Sequence, residues 1–310
     1  MKLKLLKFFL IIMLIGLVFG SENGKIAVAE EKPLLLPAQA DCPKCCQKVN
    51  LYPGIDVNNL MRIKYIVKYS KNAKDQTSVG NFILIDRNGL KRTQKWNRYR
   101  VILNKNGLDY KDMIVLTEPQ HIKGLAVLTW MYLDPNRKRD NWIWLPSQRK
   151  LRRVSPAEDD DAAFGADLTT EELTSRNWHD ETYAYINEHG TFEGFTSHYD
   201  KKNYYKNATG WIVEAKPKRK KWYYSRRVLF IPDTLGAQIH DDIFDPNGKK
   251  FKYLFRYYDI RDTGCMPITY VECTDYRTNH MTLITFDWNE LNVGVDEKIL
   301  SPKGLMRSKW

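Results

Sequence analysis

The stretch Gly124–Tyr132 reads GLAVLTWMY, and it is followed by Asn141–Pro146, which reads NWIWLP, and by Arg149–Val154, which reads RKLRRV. The first two are rich in β-branched and aromatic residues, which favour strands, and the third has the length of a further strand. Side chains two positions apart lie on the same face of a strand, so Trp142 and Trp144 share a face. These stretches predict neighbouring strands of a wide sheet with bulky side chains on both faces.

The same pattern continues along most of the chain from Val79 onward. Three Asn-Gly pairs, Asn88-Gly89, Asn106-Gly107 and Asn247-Gly248, each separate two apolar runs, and such pairs supply the positive φ angles of tight hairpin turns. Adjacent runs are therefore expected to pair antiparallel. About a dozen strands are predicted, near residues 79–86, 90–103, 110–118, 124–133, 140–145, 149–155, 181–188, 208–215, 222–231, 236–245, 249–258, 267–274 and 278–288.

Helices are few in this pattern. Leu60, Ile63 and Val67 recur at helical spacing and predict a helix within Val57–Tyr69. Thr169 and Glu172 have the spacing of a capping box, so a short helix is expected to begin there. The fold class that follows is mainly β: a strongly curved antiparallel sheet, an open half-barrel, with a few helices against its concave face.

The N-terminal residues have the layout of a secretory signal, in which lysines precede the apolar run Phe8–Phe19 and small residues follow it. That run, about 12 residues, is shorter than the roughly 20 needed to cross a bilayer, so we expect export rather than a permanent anchor. We predict a signal peptide at 1–29, a flexible leader at 30–55 and a single domain at 56–310. Cleavage is expected after Gly20 or after Ala29.

The formal charge of +12 makes the chain strongly basic. Outside the cytoplasm, positive charge meets anionic lipid headgroups or acidic polymers, and no nucleic acid is expected as a partner. A basic cluster follows the tryptophan strand and consists of Arg149, Lys150, Arg152 and Arg153. It predicts either a cavity mouth that meets phosphate oxygens or a solvated strand edge facing the acidic run at 158–161.

The five cysteines are expected to pair in an oxidising compartment. The eight-residue spacing of Cys265 and Cys273 suits two sides of a turn or neighbouring strands, so we predict this pair as a disulfide. Cys42 and Cys45 form a CxxC motif, and Cys46 follows directly. A four-thiolate zinc site made of Cys42, Cys45, Cys265 and Cys273 is the alternative, but the preferred prediction is that there is no metal site.

The chain has no catalytic motif that we recognise. Its six histidines are scattered without the i, i+4 spacing of a zinc protease, and no nucleophile elbow or glycine-rich phosphate loop is present. We therefore predict that the protein is not an enzyme and needs no cofactor.

An ordered set of segments points to a known family. The segments are, in chain order, Glu118-Pro119, Ile122–Gly124, Trp142–Pro146, Arg149, Arg152–Val154, Phe164–Leu168, Trp211–Pro217, Tyr224–Val228, Asp245–Lys249 and Phe286–Asn289. In this order, from about Leu60 to Met306, the chain resembles the LolA-like family of outer-membrane lipoprotein-sorting proteins.

The resemblance implies an open half-barrel with a helical lid and a periplasmic carrier of acyl chains or other hydrophobic molecules. It implies lipid or lipoprotein acyl chains as cargo, an inner-membrane transporter of the lipid-exporter type as one partner, and an outer-membrane acceptor as another.

Apolar side chains on the central strands are the candidate cargo contacts, with two arginines at the mouth of the trough. The predicted ligand-binding residues are Leu128, Trp130, Tyr132, Trp142, Trp144, Arg149 and Arg152. The alternative is that the tryptophans only pack beneath the helices. Two other functions remain open: an envelope module that senses a protein partner without lipid cargo, and an exported hydrolase or redox protein that uses Cys42 and Cys45.

Overall fold

A computed structural model of the protein describes residues 32–37, 39, 41–154 and 162–307. The signal peptide predicted at 1–29 lies outside the described residues, and so does the acidic run at 158–161. Residues from Pro33 onward belong to one compact unit. In the described part of the chain, no helix is long and apolar enough to cross a membrane.

Strands make up most of the regular structure. Helix α1 spans Val57–Lys68 and helix α2 spans Pro302–Arg307. The strands are β1 (Asp75–Ile85), β2 (Lys91–Lys105), β3 (Leu108–Glu118), β4 (Ala126–Tyr132), β5 (Asp140–Leu145), β6 (Lys150–Val154), β7 (Glu181–Phe192), β8 (Phe195–Thr196), β9 (Asn203–Tyr204), β10 (Ala208–Pro217), β11 (Arg226–Pro232), β12 (His240–Phe244), β13 (Lys250–Tyr258), β14 (Ile268–Asp275) and β15 (His280–Leu291).

One large sheet organises the molecule. Among the described residues, thirteen strands pair antiparallel in the order β6-β5-β4-β3-β2-β1-β15-β14-β13-β12-β11-β10-β7, and β8 pairs only with β9. The sheet stays open because β6 and β7 are its two edges. The structure therefore confirms the predicted fold class, an open and mainly β architecture with few helices.

Helix α1 defines the face of the sheet that matters for the site. Asp56 caps the helix, and its carboxylate accepts hydrogen bonds from the backbone of Asn58 at 2.9 Å and of Asn59 at 3.2 Å. The apolar stripe of α1, with Leu60 among its members, packs on Val213 of β10 and on neighbouring strand residues. We call the face that carries α1 the inner face and the opposite one the outer face.

Both faces are covered in places. On the inner face, the segment Ala163–Leu173, which we call the cover, packs Leu168 against Leu84 and Leu254 of the sheet. On the outer face, the C-terminal segment with Leu300 covers β3 and β4, and the β8–β9 pair covers Phe255.

The segment predicted as a flexible leader packs against the domain in its described part. Cys46 is 2% exposed and forms a disulfide with Cys265, and Ile55 belongs to the α1 core. Leu35 pairs with Val49 in an isolated antiparallel bridge. These contacts attach the described part of the segment at 30–55 to the rest of the domain.

The predicted Cys265–Cys273 disulfide is wrong in this structure. Cys265 pairs with Cys46, Cys42 pairs with Cys45, and Cys273 is a buried free thiol. About 16 Å of extended strand separates Ile268 from Cys273, whereas the Cα atoms of a disulfide lie within about 7 Å. The disulfides also occupy three of the four thiols of the alternative zinc site, and the described residues hold no group of side chains suited to a metal ion.

A candidate ligand cavity on the inner face of the sheet

A cavity of about 40 Å³ lies between the inner face and the cover. Leu168 and Leu173 of the cover line it from one side. The sheet lines it with seven apolar side chains, namely Phe82, Trp96, Ile114, Ile268, Val271, Ile284 and Phe286. The cavity is therefore an apolar space at the centre of the sheet, where β1 and β15 pair.

Trp96 is the largest apolar side chain in this lining, and a glycine makes its position possible. The Trp96 ring lies over Gly80, where β1 has a bulge, and a Cβ atom at Gly80 would meet that ring and the carbonyl of Thr285. The Trp96 ring contacts Phe286 edge to face at 5.1 Å and Phe82 at 5.8 Å. These aromatic contacts hold the floor of the cavity in one arrangement.

The cover is attached to the sheet by a capping box and a buried lysine. The backbone N–H of Thr169 donates to the Glu172 carboxylate at 2.9 Å, and the backbone N–H of Glu172 donates to the Thr169 hydroxyl at 3.1 Å, as the sequence predicted. Lys252 of β13 donates to Glu172 at 3.1 Å and to the carbonyl of Asp167 at 2.7 Å. Burial alone would raise the pKa of Glu172, but the charges of Lys252 and Arg176 outweigh burial and lower the pKa to about 2.

An ion network lies buried beside the cavity, under α1. Arg227 pairs with Glu181 at 2.5 Å and with Asp241 at 2.8 Å, and all three side chains are at most 1% exposed. Lys64 of α1 is also buried, and burial, followed by the charge of Arg227, lowers its pKa to about 7. The inner face is thus mostly apolar at the cavity, whose lining also includes Lys68, Arg98, Glu172 and Arg256, and it is densely charged next to the cavity.

A second cavity of about 400 Å³ lies beside the loop between β4 and β5. Its lining includes charged side chains of both signs, among them Asp134, Arg137 and Lys218. A hydrocarbon chain gains free energy from apolar surface, so the inner-face cavity is the better candidate for an apolar ligand.

Most of the predicted ligand-binding residues lie on the other face of the sheet. Leu128 pairs with Trp142, and both pack with Leu300 of the C-terminal segment, together with Trp130 and Trp144. The Trp130 indole donates to the carbonyl of Leu300 at 3.0 Å. None of these four side chains lines either cavity, because they face away from α1.

The other three predicted residues are scattered. Tyr132 lines the second cavity, and its hydroxyl donates to Asp140 at 2.6 Å. Arg149 and Arg152 are exposed, at the turn before β6 and on that edge strand, and neither belongs to a cavity lining. The structure therefore brings Leu128, Trp130, Trp142 and Trp144 together on the outer face and places Tyr132, Arg149 and Arg152 apart from them.

Sequence reasoning missed the residues that do line the inner-face cavity. Phe82 of β1 pairs with Ile284 of β15, so the two side chains share a face of the sheet. Alternation along each strand could have assigned both residues to one face. It could not have shown which of the two alternating sets faces α1.

Three solved structures share the fold over most of this chain. A DUF1329 family protein from Desulfovibrio piger has a TM-score of 0.68 at 20% identity, covering 80% of this chain and 97% of its own. A putative outer-membrane lipoprotein-sorting protein domain from Vibrio parahaemolyticus has a TM-score of 0.66 at 15% identity, covering 80% and 100%. A LolA superfamily protein from Nitrosomonas europaea has a TM-score of 0.57 at 13% identity, covering 81% and 99%.

Among curated proteins, none matches this sequence. Residues 109–307 match a family model described as "Uncharacterized protein". Because that match spans more than half of the chain, the protein belongs to this family, and its fold is the LolA-like fold of outer-membrane lipoprotein-sorting proteins.

Proposed function

We propose that the protein is a periplasmic carrier that binds the hydrocarbon chain of a lipid or lipoprotein and passes it toward the outer membrane or an exporter. The observation that carries this proposal is the apolar cavity between the inner face and the cover. Phe82, Ile284 and Phe286 supply the kind of surface that a hydrocarbon chain needs. The LolA-like fold supports the same reading.

The volume of the cavity sets a condition on this function. The cavity volume of about 40 Å³ is only slightly larger than the volume that one molecule occupies in liquid water, about 30 Å³. Ligand sites usually enclose about 300–1,000 Å³. A hydrocarbon chain therefore enters only when the cover leaves the sheet. Each methylene that then replaces Leu168 or Leu173 against the sheet contributes about 0.8 kcal/mol, which offsets the lost contacts of the cover.

The carrier function requires partner proteins and no catalysed reaction. A signal peptide at 1–29 would deliver the protein to the periplasm, an inner-membrane transporter would load it, and an outer-membrane acceptor would unload it. Neither loading nor unloading needs a catalytic group or a cofactor.

The small volume favours a second candidate function. An envelope module that binds a protein partner and carries no lipid would need no room inside, and the buried ion network beside the cavity suits a permanently filled interior. The two candidates differ in one measurable property, namely whether the inner face ever takes up a hydrocarbon chain.

Mass spectrometry of gently purified protein, followed by titration of the delipidated protein with hexadecanol, tests the proposal. We expect a co-purified lipid, and we expect Ile284→Phe to weaken hexadecanol binding at least tenfold because the larger ring fills the cavity. Leu128→Phe is the matched control, since it enlarges a buried aliphatic residue on the outer face. Repeated recovery of lipid-free protein that binds no hexadecanol would overturn the carrier and leave the second candidate.

A further inference from the structure

Arg256 of β13 lines the inner-face cavity, and its buried guanidinium nitrogen Nη1 has no hydrogen-bonding partner among the described residues. Its side chain is buried, with 3% of the residue exposed. Within 4.0 Å the described residues offer it one carboxylate, Asp241, at 3.7 Å. That same Asp241 oxygen already accepts a hydrogen bond from Arg227 at 2.8 Å.

Three other arginines of the inner face each hydrogen-bond a carboxylate, although the Nε of Arg100 has no partner among the described residues. Arg98 makes two hydrogen bonds to Asp112, at 3.0 and 2.6 Å. Arg100 donates to the same carboxylate at 2.8 Å, and Arg176 donates to Glu171 at 2.7 Å. Native proteins rarely leave a buried charge without a partner, so the guanidinium of Arg256 calls for an explanation.

A second cation lines the same space. Lys68 of α1 donates to the backbone carbonyl of Glu172 at 3.0 Å, and no carboxylate of the described residues pairs with it. Burial, followed by the positive charge of Arg256, lowers the pKa of Lys68. In the lining, Arg98 pairs with Asp112 and Glu172 pairs with Lys252, whereas Arg256 has only the longer contact with Asp241 and Lys68 has no carboxylate partner among the described residues.

We propose that the inner-face cavity takes an amphiphile with an anionic head, an ionised carboxylate or phosphate monoester, which binds Arg256 and Lys68. The tail lies on the apolar floor, against Phe82 and Ile284. This inference rests on the proposed carrier function and names the class of its ligand. The planar fork of a guanidinium matches two oxygens of a carboxylate or phosphate, and an ammonium adds a point charge beside it.

The size of the cavity agrees with this division of the ligand. About 40 Å³ has room for a small polar group but not for a hydrocarbon chain. The head would therefore bind in space that exists in the closed structure, and the tail would take the space that Leu168 and Leu173 of the cover now fill.

Four probes test the proposal on the purified protein, and the two anionic amphiphiles are kept below their micelle concentrations. They are palmitate, hexadecyl phosphate, hexadecanol and inorganic phosphate, with affinities measured by calorimetry. We expect the two anionic amphiphiles to bind at least tenfold more tightly than hexadecanol. Arg256→Met should bring the ratio of these affinities close to one, and Arg256→Lys should keep part of the wild-type ratio. Arg92→Met, which removes an exposed arginine from β2, should leave the ratio unchanged.

Each contrary result has a separate meaning. Equal affinity for palmitate and hexadecanol overturns the anionic head but leaves the carrier. Inorganic phosphate that binds as tightly as hexadecyl phosphate overturns the amphiphile, because the tail then adds nothing. Failure of all four probes overturns both the carrier and this inference. Should Arg256→Met not fold, the preference of the wild-type protein among the four probes still decides.

Discussion

Cys46 and Cys265 form a disulfide bond that joins positions 219 residues apart. Cys46 lies before α1, and Cys265 lies in the loop between β13 and β14. The backbone N–H of Cys46 also donates to the carbonyl of Thr263 at 3.0 Å. The bond therefore fixes the N-terminal segment to the sheet beside the strand that carries Arg256.

Replacing both cysteines of this bond, Cys46→Ala with Cys265→Ala, should lower the free energy of unfolding by roughly 2–5 kcal/mol. A long closed loop restricts the unfolded chain, and its loss returns that freedom. The measurement is urea unfolding of the oxidised protein. Cys42→Ala with Cys45→Ala is the matched control, since that bond closes a separation of only 3 residues and should contribute much less. Equal losses for the two double variants would contradict the prediction.

Arg227→Met should destabilise the protein by about 3–5 kcal/mol, because it leaves Glu181 and Asp241 buried without their cation. Lys95→Met is the control. It breaks an ion pair with Glu118 whose side chains are 48% and 58% exposed, and such exposed pairs contribute at most about 1 kcal/mol. Chemical unfolding of both variants gives the comparison, and similar losses would show that the buried network is not held by Arg227.

Lys64→Met should stabilise the protein in a way that depends on pH. The pKa of Lys64 is about 7 in the folded protein and about 10.4 in an unfolded chain, so between these values the unfolded chain binds more protons. The wild-type free energy of unfolding therefore rises with pH across this window, whereas below pH 7 the folded state carries the full cost of a buried ammonium.

The advantage of Lys64→Met should accordingly be largest near pH 6, at a few kcal/mol on the scale of about 1.4 kcal/mol per pKa unit, and should shrink toward pH 10. Thermal or urea unfolding at several pH values measures it. A constant difference between variant and wild type from pH 6 to pH 10 would show that Lys64 does not titrate in this range.

Trp130→Phe should lower the free energy of unfolding by about 0.5–1.5 kcal/mol, because the hydrogen bond from its indole to Leu300 is lost. The affinity for hexadecanol should stay within twofold of the wild type, since Trp130 faces the C-terminal segment and not the cavity. A fivefold or greater loss of affinity with unchanged stability would instead place the ligand on the outer face.

Much of the fold follows from short-range chemistry that the sequence displays directly. The Asn88-Gly89 and Asn106-Gly107 pairs lie between β1, β2 and β3, and the glycines adopt φ angles of 81° and 74°. The helix at α1 and the capping box of Thr169 and Glu172 were predicted in the same way. Each of these features depends on residues only a few positions apart, so no tertiary contact is needed to recognise it.

The site was decided by contacts between residues far apart in the chain. Alternation along β4 and β5 shows that Trp142 and Trp144 share a face, but only the packing of α1 and of the C-terminal segment makes that face the outer one. The partner of Cys265 likewise depended on where the N-terminal segment crosses the sheet. The missing hydrogen bond of Arg256 is of the same kind, because it depends on how the fold places Asp241 between Arg227 and Arg256.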